Sequence, residues 1–244
     1  MNRSPRTRAR NGTLNGLLRR IAHTEAVVGV IGLGYVGLPL ALLVCRKGFD
    51  TIGFDIDDDK IIALTSGRSY IAHIPAPTIR AAERFKPTSD FSLLRTCDVI
   101  IICVPTPTTS ANQPDLRPVK STARVIARYL RRGHLVVLES TTYPTTTRDV
   151  VRPILERSGL KTGEEYFLAF SPEREDPGRT DHTTETIPKV VGGVDERSAR
   201  AACAFYAAVV HTVVPVASAE IAESTKMLEN TFRAVNMPLS TNSK

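Results

Sequence analysis

Three glycines at fixed spacing near the start of the chain could hold a phosphate group. Gly32, Gly34 and Gly37 form the pattern Gly-x-Gly-x-x-Gly directly after the apolar run 27–31. In such a turn the first glycine permits the sharp bend, the second lets the backbone approach a pyrophosphate, and the third lets a helix pack closely on the strand. A helix beginning near Tyr35 would point its free amides and its dipole at the phosphates.

An acidic residue follows where a dinucleotide site needs one. Asp55 comes directly after a second apolar run, residues 51–54, and 18 residues after Gly37. A carboxylate at this place accepts a hydrogen bond from the 2′-hydroxyl of an adenosine ribose, and it would repel a 2′-phosphate. These elements follow one another in the order and at the spacing of a dinucleotide-binding βαβ unit: a strand, the glycines, a helix, a second strand and the acid. The pattern therefore predicts an NAD site rather than a tight turn that binds no ligand.

Other polar segments stop apolar runs further along the chain. They are residues 104–107, 139–144 and 171–178. In an open α/β sheet, ligands bind at the carboxyl ends of the strands, near the point where the strand order reverses. We therefore expect these segments to converge on one crevice with the glycine-rich turn. For the charged run 173–176, an ordinary surface turn is an equally good interpretation.

A late helix, predicted over residues 219–235, could present polar groups on one face. Lys226 and Asn230 are spaced i,i+4 and so lie on the same side. Glu223 and Arg233 extend roughly the same stripe, which taken alone is typical of a solvated face. Pro238 is expected to end the helix.

The elements that must position these residues alternate between strands and helices. This alternation predicts an α/β fold, a Rossmann-type doubly wound parallel sheet with helices on both faces and right-handed crossovers. The predicted strands are 27–31, 51–54, 99–104, 135–139, 166–170, 189–191 and 212–216. The predicted helices are 14–24, 35–47, 57–65, 118–131, 146–158, 196–209 and 219–235.

Composition disfavours nucleic acid as a partner. The chain has 244 residues with a net charge of +7, no Trp and 6% aromatic residues, which leaves few side chains on which bases could stack. Much of the charge lies near the start of the chain, in a region without the apolar core of a secretion signal. We expect residues 1–13 to form a disordered basic leader. The arginines that hold much of the net charge are Arg3, Arg6, Arg8, Arg10, Arg19 and Arg20.

Cysteine usage and hydropathy predict a cytoplasmic protein with no metal site and no membrane span. Cys45, Cys97, Cys103 and Cys203 form no Cys-x-x-Cys pair and lack the spacing to His that metal sites show. They are interpreted as buried free thiols in a reducing compartment. The uncharged stretch 26–45 is long enough to cross a membrane, but its glycines and proline divide it into a strand and a helix.

Together, the strand-end segments resemble the nucleotide-sugar (UDP-glucose/GDP-mannose) dehydrogenase family. The resemblance covers residues 14–236, about the first half of a family member. The residues of two segments, 69–75 and 171–178, are most similar to those of the UDP-N-acetylglucosamine (or galactosamine) 6-dehydrogenase branch. The matching segments are 29–40, 53–57, 69–75, 103–107, 138–144, 170–178, 187–193 and 228–236.

The resemblance implies oxidation of a UDP-sugar C6 alcohol to a carboxylate with NAD as the acceptor, the aldehyde stage being held on a cysteine. It implies catalytic roles for Glu173 at the reacting centre, for Lys226 and Asn230 at the C6 oxygen, and for Thr141. It implies a cofactor-binding set that comprises Gly32, Gly34, Tyr35, Val36, Gly37, Asp55, Lys60, Thr106, Thr141 and Asp176.

The sequence departs from the family pattern at two places. Thr145 stands where the family has a glycine, which is expected to stiffen or distort that turn. The family's Gly-Gly-x-Cys segment has no match among the four cysteines, so we expect no acid-forming turnover by these 244 residues alone. The resemblance divides the chain into the leader, an NAD-binding Rossmann domain over 14–216, and the start of a central connector helix over 217–244 that forms a homodimer interface.

Two functions remain open on the sequence. The first is an NAD-dependent UDP-sugar 6-dehydrogenase of which these residues are the NAD-binding part. The second is a non-catalytic protein that binds NAD, or one that docks on a full-length paralogue through the connector helix. The unmatched nucleophile and Thr145 favour this second function. Nucleic-acid binding through the leader is disfavoured, and no membrane contact is expected.

Overall fold

The computed structural model describes the backbone of residues 5–108, 114–173 and 185–241, and the side chains of those ranges except 5–12, 230 and 233–241. The strands are β1 Val28–Ile31, β2 Thr51–Phe54, β3 Phe85–Thr88, β4 Val99–Ile102, β5 Leu135–Leu138, β6 Phe167–Phe170, β7 Lys189–Gly193 and β8 Val213–Pro215. The α-helices are α1 Pro5–Ala22, α2 Gly37–Arg46, α3 Asp58–Thr65, α4 Ala76–Arg80, α5 Arg117–Tyr129, α6 Arg152–Leu155, α7 Glu196–Ala207 and α8 Ala219–Thr241.

The strands form one sheet in the order β3-β2-β1-β4-β5-β6-β7-β8. The strand order reverses between β1 and β4, as in a doubly wound fold. Ile31, Phe54, Ile102, Leu138 and Phe170, the last residues of five neighbouring parallel strands, lie level with one another across the sheet. The predicted α/β architecture is confirmed, and the loops that follow these residues leave the sheet at one edge.

The prediction of a wholly parallel sheet is wrong at one step. β7 runs antiparallel to β6, with Ala169 opposite Gly193, and β8 follows the direction of β7. An antiparallel strand begins at the end of the sheet where the previous strand stopped, so the connecting chain does not have to cross a face of the sheet. The first residue of β7, Lys189, therefore lies at the same edge as the ends of β5 and β6.

Apolar layers cover both faces of the sheet. Every residue of β1, β4, β5 and β6 is buried, as expected for parallel strands that helices cover on both sides. Side chains of α1, α2 and α7 pack on one face, and those of α5, α6 and the start of α8 pack on the other. The four cysteines are free thiols, as predicted; Cys203 is partly exposed and the other three are buried.

The predicted helix over residues 146–158 is irregular. A π-helical turn Thr146–Val151 leads into α6, and a 3₁₀ turn Glu156–Ser158 follows. Pro153 has no amide hydrogen to donate, which rules out the regular hydrogen bond at that point of a helix. β3, α4 and a 3₁₀ turn Phe91–Thr96 were not predicted. β3 is partly buried and contains Pro87, which the edge of a sheet tolerates.

Both ends of the described chain are more helical than predicted. α1 begins at Pro5 rather than Leu14, so residues expected to be a disordered leader have helical backbone. Leu14, Leu17 and Ile21 bury one side of this helix, and the helical backbone continues from this packed part to Pro5 although Asn11, Gly12 and Thr13 are poor helix formers. α8 continues through Pro238 to Thr241, because a proline removes one backbone hydrogen bond and the others can remain. Across the described residues, no helix combines the length and apolar character that a membrane span requires.

Candidate cofactor and active site

A cavity of about 660 Å³ opens at the carboxyl edge of β1, β2, β4 and β5. The predicted strand-end segments converge on it, which confirms the expectation that they share one crevice. Residues that line it include Gly32, Gly34, Tyr35, Val36, Asp55, Lys60, Val104, Thr106, Glu139, Ser140, Thr141 and Glu173.

The glycine-rich turn has the backbone that a phosphate cradle requires. Gly32 has a φ of +93°, and a Cβ added to Gly37 would lie 1.9 Å from the carbonyl oxygen of Gly32. Other residues are therefore strained at Gly32 and cannot fit at Gly37 without moving the helix. A Cβ at Gly34 would meet nothing within 4 Å, so the backbone there is open towards the cavity.

α2 begins at Gly37 rather than at the predicted Tyr35. Its N-cap residue, Val36, has no polar side chain and makes no capping hydrogen bond, so a side-chain cap does not satisfy the first amides of the helix. Tyr35 is 69% exposed and its ring stacks against His73, with the ring centroids 6.2 Å apart. The turn and the helix end together fit an anionic group.

Asp55 holds the glycine-rich turn in addition to facing the cavity. Its buried carboxylate accepts hydrogen bonds from the amide of Leu33 at 2.8 Å and from the amide of Asp57 at 3.0 Å. The Lys60 ammonium lies 3.2 Å from the same carboxylate. The hydroxyl of Tyr70, a residue that the sequence prediction passed over, donates to the Leu33 carbonyl at 2.6 Å. Two side chains from outside the turn therefore fix its backbone.

The loops after β4 and β5 are bonded to each other. The Thr106 hydroxyl donates to the carbonyl of Thr141 at 2.7 Å, and the Ser140 hydroxyl donates to the carbonyl of Val104 at 2.7 Å. These bonds align two predicted cofactor-binding residues along one wall of the cavity.

Lys226, which is buried, and Glu173, which is partly buried, form an ion pair beside the cavity. The Lys226 ammonium lies 2.8 Å from a carboxylate oxygen of Glu173 and 2.9 Å from the carbonyl oxygen of the same residue. The Lys226 side chain is 5% exposed and that of Glu173 is 18% exposed. Two residues that the sequence assigned to the reaction are thus in direct contact, although 53 positions separate them along the chain.

The comparison with known proteins agrees with this geometry. The model of the UDP-glucose/GDP-mannose dehydrogenase family, NAD binding domain, matches residues 26–210. The chain belongs to this family. Its site fits NAD, because the open backbone at Gly34, the uncapped amides of α2 and the carboxylate of Asp55 meet in one cavity.

Similar proteins act on nucleotide sugars. The chain is 36% identical to the UDP-N-acetyl-D-glucosamine 6-dehydrogenase of Pseudomonas aeruginosa over 87% of its own length and 50% of that protein. It is 37% identical to the UDP-N-acetyl-D-mannosamine dehydrogenase of Pyrococcus horikoshii over 87% and 51%. A solved structure of the Pyrococcus horikoshii UDP-D-ManNAc dehydrogenase superposes with a TM-score of 0.82 at 34% identity, covering 87% of this chain and 52% of that one. The chain thus spans about half the length of the curated relatives it matches.

Glu223 of this NAD-binding chain has a role that the sequence prediction did not find. Its fully buried carboxylate accepts hydrogen bonds from the amides of Thr145 and Thr147, at 2.7 and 2.8 Å, and from the Thr147 hydroxyl at 2.7 Å. Burial raises the pKa of Glu223, and the three donors partly oppose that effect. α8 is thereby attached to the loop that follows β5.

Thr145 is the residue that departs from the family's glycine. It has a φ of +77°, in the left-handed region that a threonine rarely adopts, so the backbone keeps the conformation that suits glycine. The turn is therefore not distorted; instead the backbone of Thr145 is strained, and the amide of Thr145 donates a hydrogen bond to Glu223.

Two predicted site residues are not placed in full. Asp176 lies outside the described residues. Asn230 is described only as a backbone position of α8, one turn beyond Lys226.

The raised pKa of Glu223 predicts a pH dependence of stability. A carboxyl whose pKa is higher in the folded state contributes stability below its unfolded pKa and loses that contribution as the pH rises through the folded pKa. The free energy of unfolding of the unmodified protein, relative to that of Glu223→Gln, should therefore fall as the pH rises above about 4.3.

Urea unfolding of both proteins over a series of pH values measures this difference. Ser224→Ala, which changes an exposed side chain of the same helix that carries no titratable group, is the control and should leave the pH profile of the unmodified protein in place. A difference between the unmodified protein and Glu223→Gln that stays constant with pH would contradict the assignment.

Proposed function

We propose that the protein is a UDP-sugar 6-dehydrogenase that oxidises the C6 alcohol of a UDP-N-acetylhexosamine to a carboxylate, with this chain supplying the NAD-binding part. The ion pair between the buried Lys226 and the partly buried Glu173 beside the cavity is the observation that carries the proposal. A chain that only bound NAD would have no need for an ammonium kept out of water next to the cofactor crevice. The names of its similar proteins support a UDP-N-acetyl sugar as the substrate.

The cofactor is held by backbone and side chains of the cavity. In this proposal the turn at Gly32, Gly34 and Gly37 and the first amides of α2 bind the pyrophosphate. Asp55 accepts from the adenosine ribose, and Lys60 lies beside it. Tyr35, Val36, Thr106, Thr141 and Asp176 complete the set. Each NAD⁺ that binds would accept one hydride, so oxidation of the alcohol through the aldehyde to the carboxylate requires two NAD⁺ in succession and one water.

Lys226 stabilises the negative charge that develops on the C6 oxygen. An ammonium group has three N–H donors, and Glu173 accepts from Lys226 through a carboxylate oxygen and its carbonyl. The remaining donor can reach a substrate oxygen, where an ammonium fixed in a water-poor site stabilises charge most strongly. Asn230, one turn further along α8, adds an amide donor to the same oxygen. Thr141 also lines the cavity.

Glu173 moves protons in this scheme. Its carboxylate lines the cavity and is bonded to the ammonium, so it can take the proton of the alcohol, directly or through water. The same bond holds Lys226 in place. Because NAD and UDP-sugars are metabolites of the cytoplasm, the proposal also places the protein there.

Asp55→Asn tests the cofactor preference. The amide keeps the size of the side chain but removes the charge that repels a 2′-phosphate. We expect the affinity for NAD⁺ to fall about tenfold, since a charged hydrogen bond is lost, and the ratio of NADP⁺ to NAD⁺ affinity to rise. Titration calorimetry measures both ligands.

Asp59→Asn is the control for this prediction, because it changes an exposed carboxyl on α3 that is not among the residues lining the cavity. It should leave both affinities unchanged. A higher NAD⁺ affinity in Asp55→Asn, or an unchanged preference between the two cofactors, would contradict the role given to Asp55.

Lys226→Met tests the reaction. Methionine keeps the volume of the buried stem and removes the ammonium, so kcat should fall by about 10²–10³-fold while NAD⁺ affinity stays within about twofold. The unmodified polypeptide, in the form in which it occurs in its source, and its Lys226→Met variant are both assayed. The products measured are NADH and uronic acid, with UDP-N-acetylglucosamine, UDP-N-acetylmannosamine and UDP-glucose as substrates. No product from the unmodified protein with any of the three would refute the proposed activity. A fully active Lys226→Met would refute the role of the lysine.

A homodimer through α8 is also part of the proposal. Ile221 and Leu228, 47% and 72% exposed, lie on the side of α8 opposite the buried Glu223 and Lys226, and Met227 is 45% exposed. An apolar stripe of this kind on a helix that is buried on its other side suits a second copy of the chain.

Leu228→Asp should shift the protein from dimer to monomer, because it places a charge in the apolar contact. Sedimentation velocity over a concentration series measures this shift. Ile62→Asp changes an exposed isoleucine of α3 in the same way and should leave the dimer intact. A monomeric unmodified protein would contradict the dimer.

A further inference from the structure

Three polar side chains are buried together at the side of the cavity, and one of them, Glu139, lines it. Glu139 follows β5, Lys189 begins β7 and Tyr206 lies in α7; they are 1%, 4% and 0% exposed. The Lys189 ammonium lies 2.8 Å from one carboxylate oxygen of Glu139, and the Tyr206 hydroxyl donates to the other. The same ammonium lies 5.2 Å from the centre of the Tyr206 ring. We call these residues the Glu139 network.

Stability alone does not account for the network. A buried ion pair is costly to desolvate, and apolar residues of similar volume often replace such a pair without loss of stability. This pair stands in a sheet whose neighbouring strands are apolar throughout. Its position is therefore informative: Glu139 lines the cavity and is joined directly to Ser140 and Thr141.

The network reaches the loops on one side of the cavity. Ser140 and Thr141 are hydrogen bonded to the loop after β4, through the carbonyl of Val104 and the hydroxyl of Thr106. A carboxylate anchored by Lys189 and Tyr206 thus fixes the start of one loop, and that loop fixes the other. Both lie on the β4–β5 side of the point where the strand order reverses.

That side faces one half of the dinucleotide. A dinucleotide lies across the reversal of strand order, with its pyrophosphate at the glycine-rich turn after β1. Asp55, after β2, marks the side of the adenosine ribose, so the nicotinamide riboside half extends to the ends of β4 and β5. We propose that the Glu139 network is a positioning device for the nicotinamide ring of NAD. The inference rests on NAD binding in this cavity.

ADP-ribose separates this role from a purely structural one, because it shares every part of NAD⁺ except the nicotinamide. In the 244-residue chain, the double variant Glu139→Met/Lys189→Met removes both charges together, so neither is left buried without its partner. We expect the Kd for NAD⁺ to rise about tenfold and the Kd for ADP-ribose to stay within about twofold, as measured by calorimetry. Equal losses for the two ligands, or no loss for either, would overturn the proposal.

A pair of matched single variants covers the case in which the double variant fails to fold. Tyr206→Phe and Tyr166→Phe each remove one hydroxyl from a fully buried tyrosine, and Tyr166 is bonded to Thr162 rather than to the network. Only Tyr206→Phe should weaken NAD⁺, by about threefold, with ADP-ribose unchanged. NAD⁺ binding that is unaffected in Tyr206→Phe, or equally affected in Tyr166→Phe, would refute the role. If the unmodified chain bound neither ligand, the NAD site itself would be wrong and the inference would fail with it.

Discussion

The contact between α2 and β1 at the glycine-rich turn is the constraint on which the site depends. A Cβ at Gly37 would overlap the carbonyl oxygen of Gly32, so the helix lies as close to the strand as backbone atoms permit. This closeness brings the uncapped start of α2 to the edge of the sheet. Asp55 and Tyr70 then bond to the amide and the carbonyl of Leu33 and hold the turn in that place. Phosphate binding follows from backbone geometry more than from any charged side chain.

The opposite side of the crevice depends on α8. Glu223 accepts from the loop after β5, and Lys226, three residues later, bonds to Glu173 in the loop after β6. One helix thus fixes two loops that both border the cavity. Thr145, whose amide is one of the donors to Glu223, keeps a strained backbone in this loop. The contact between Glu223 and the loop after β5 therefore accompanies a backbone conformation that is costly for threonine. In the proposed reaction the cofactor and the reacting groups must be held at fixed distances from each other, and the two contacts of α8 serve that purpose.

Sequence patterns predicted most of the groups that line the cavity. The glycines and Asp55 follow from a local motif, whereas Glu173 and Lys226 were named as reacting groups only through a family resemblance, and their contact was not predicted. Tyr70 and Glu223 were not predicted as parts of the site. Glu139 was expected at the crevice as part of the segment 139–144, but its bonds to Lys189 and Tyr206 were not predicted. Each acts by a hydrogen bond to a residue far along the chain, and such a bond leaves no periodicity or spacing in the sequence.

The sequence by itself determined the alternation of strands and helices, the doubly wound order and the phosphate-binding turn, because these depend on local hydrophobic periodicity and on glycine's conformational freedom. Only the tertiary structure decided that β7 turns antiparallel, that Lys189 thereby meets Glu139, and that α8 bonds to two loops. The pairs Glu139–Lys189, Glu173–Lys226 and Thr147–Glu223 are 50, 53 and 76 positions apart. Contacts at such separations form when the sheet brings strand ends to one edge, and buried polar groups then take the partners that geometry offers.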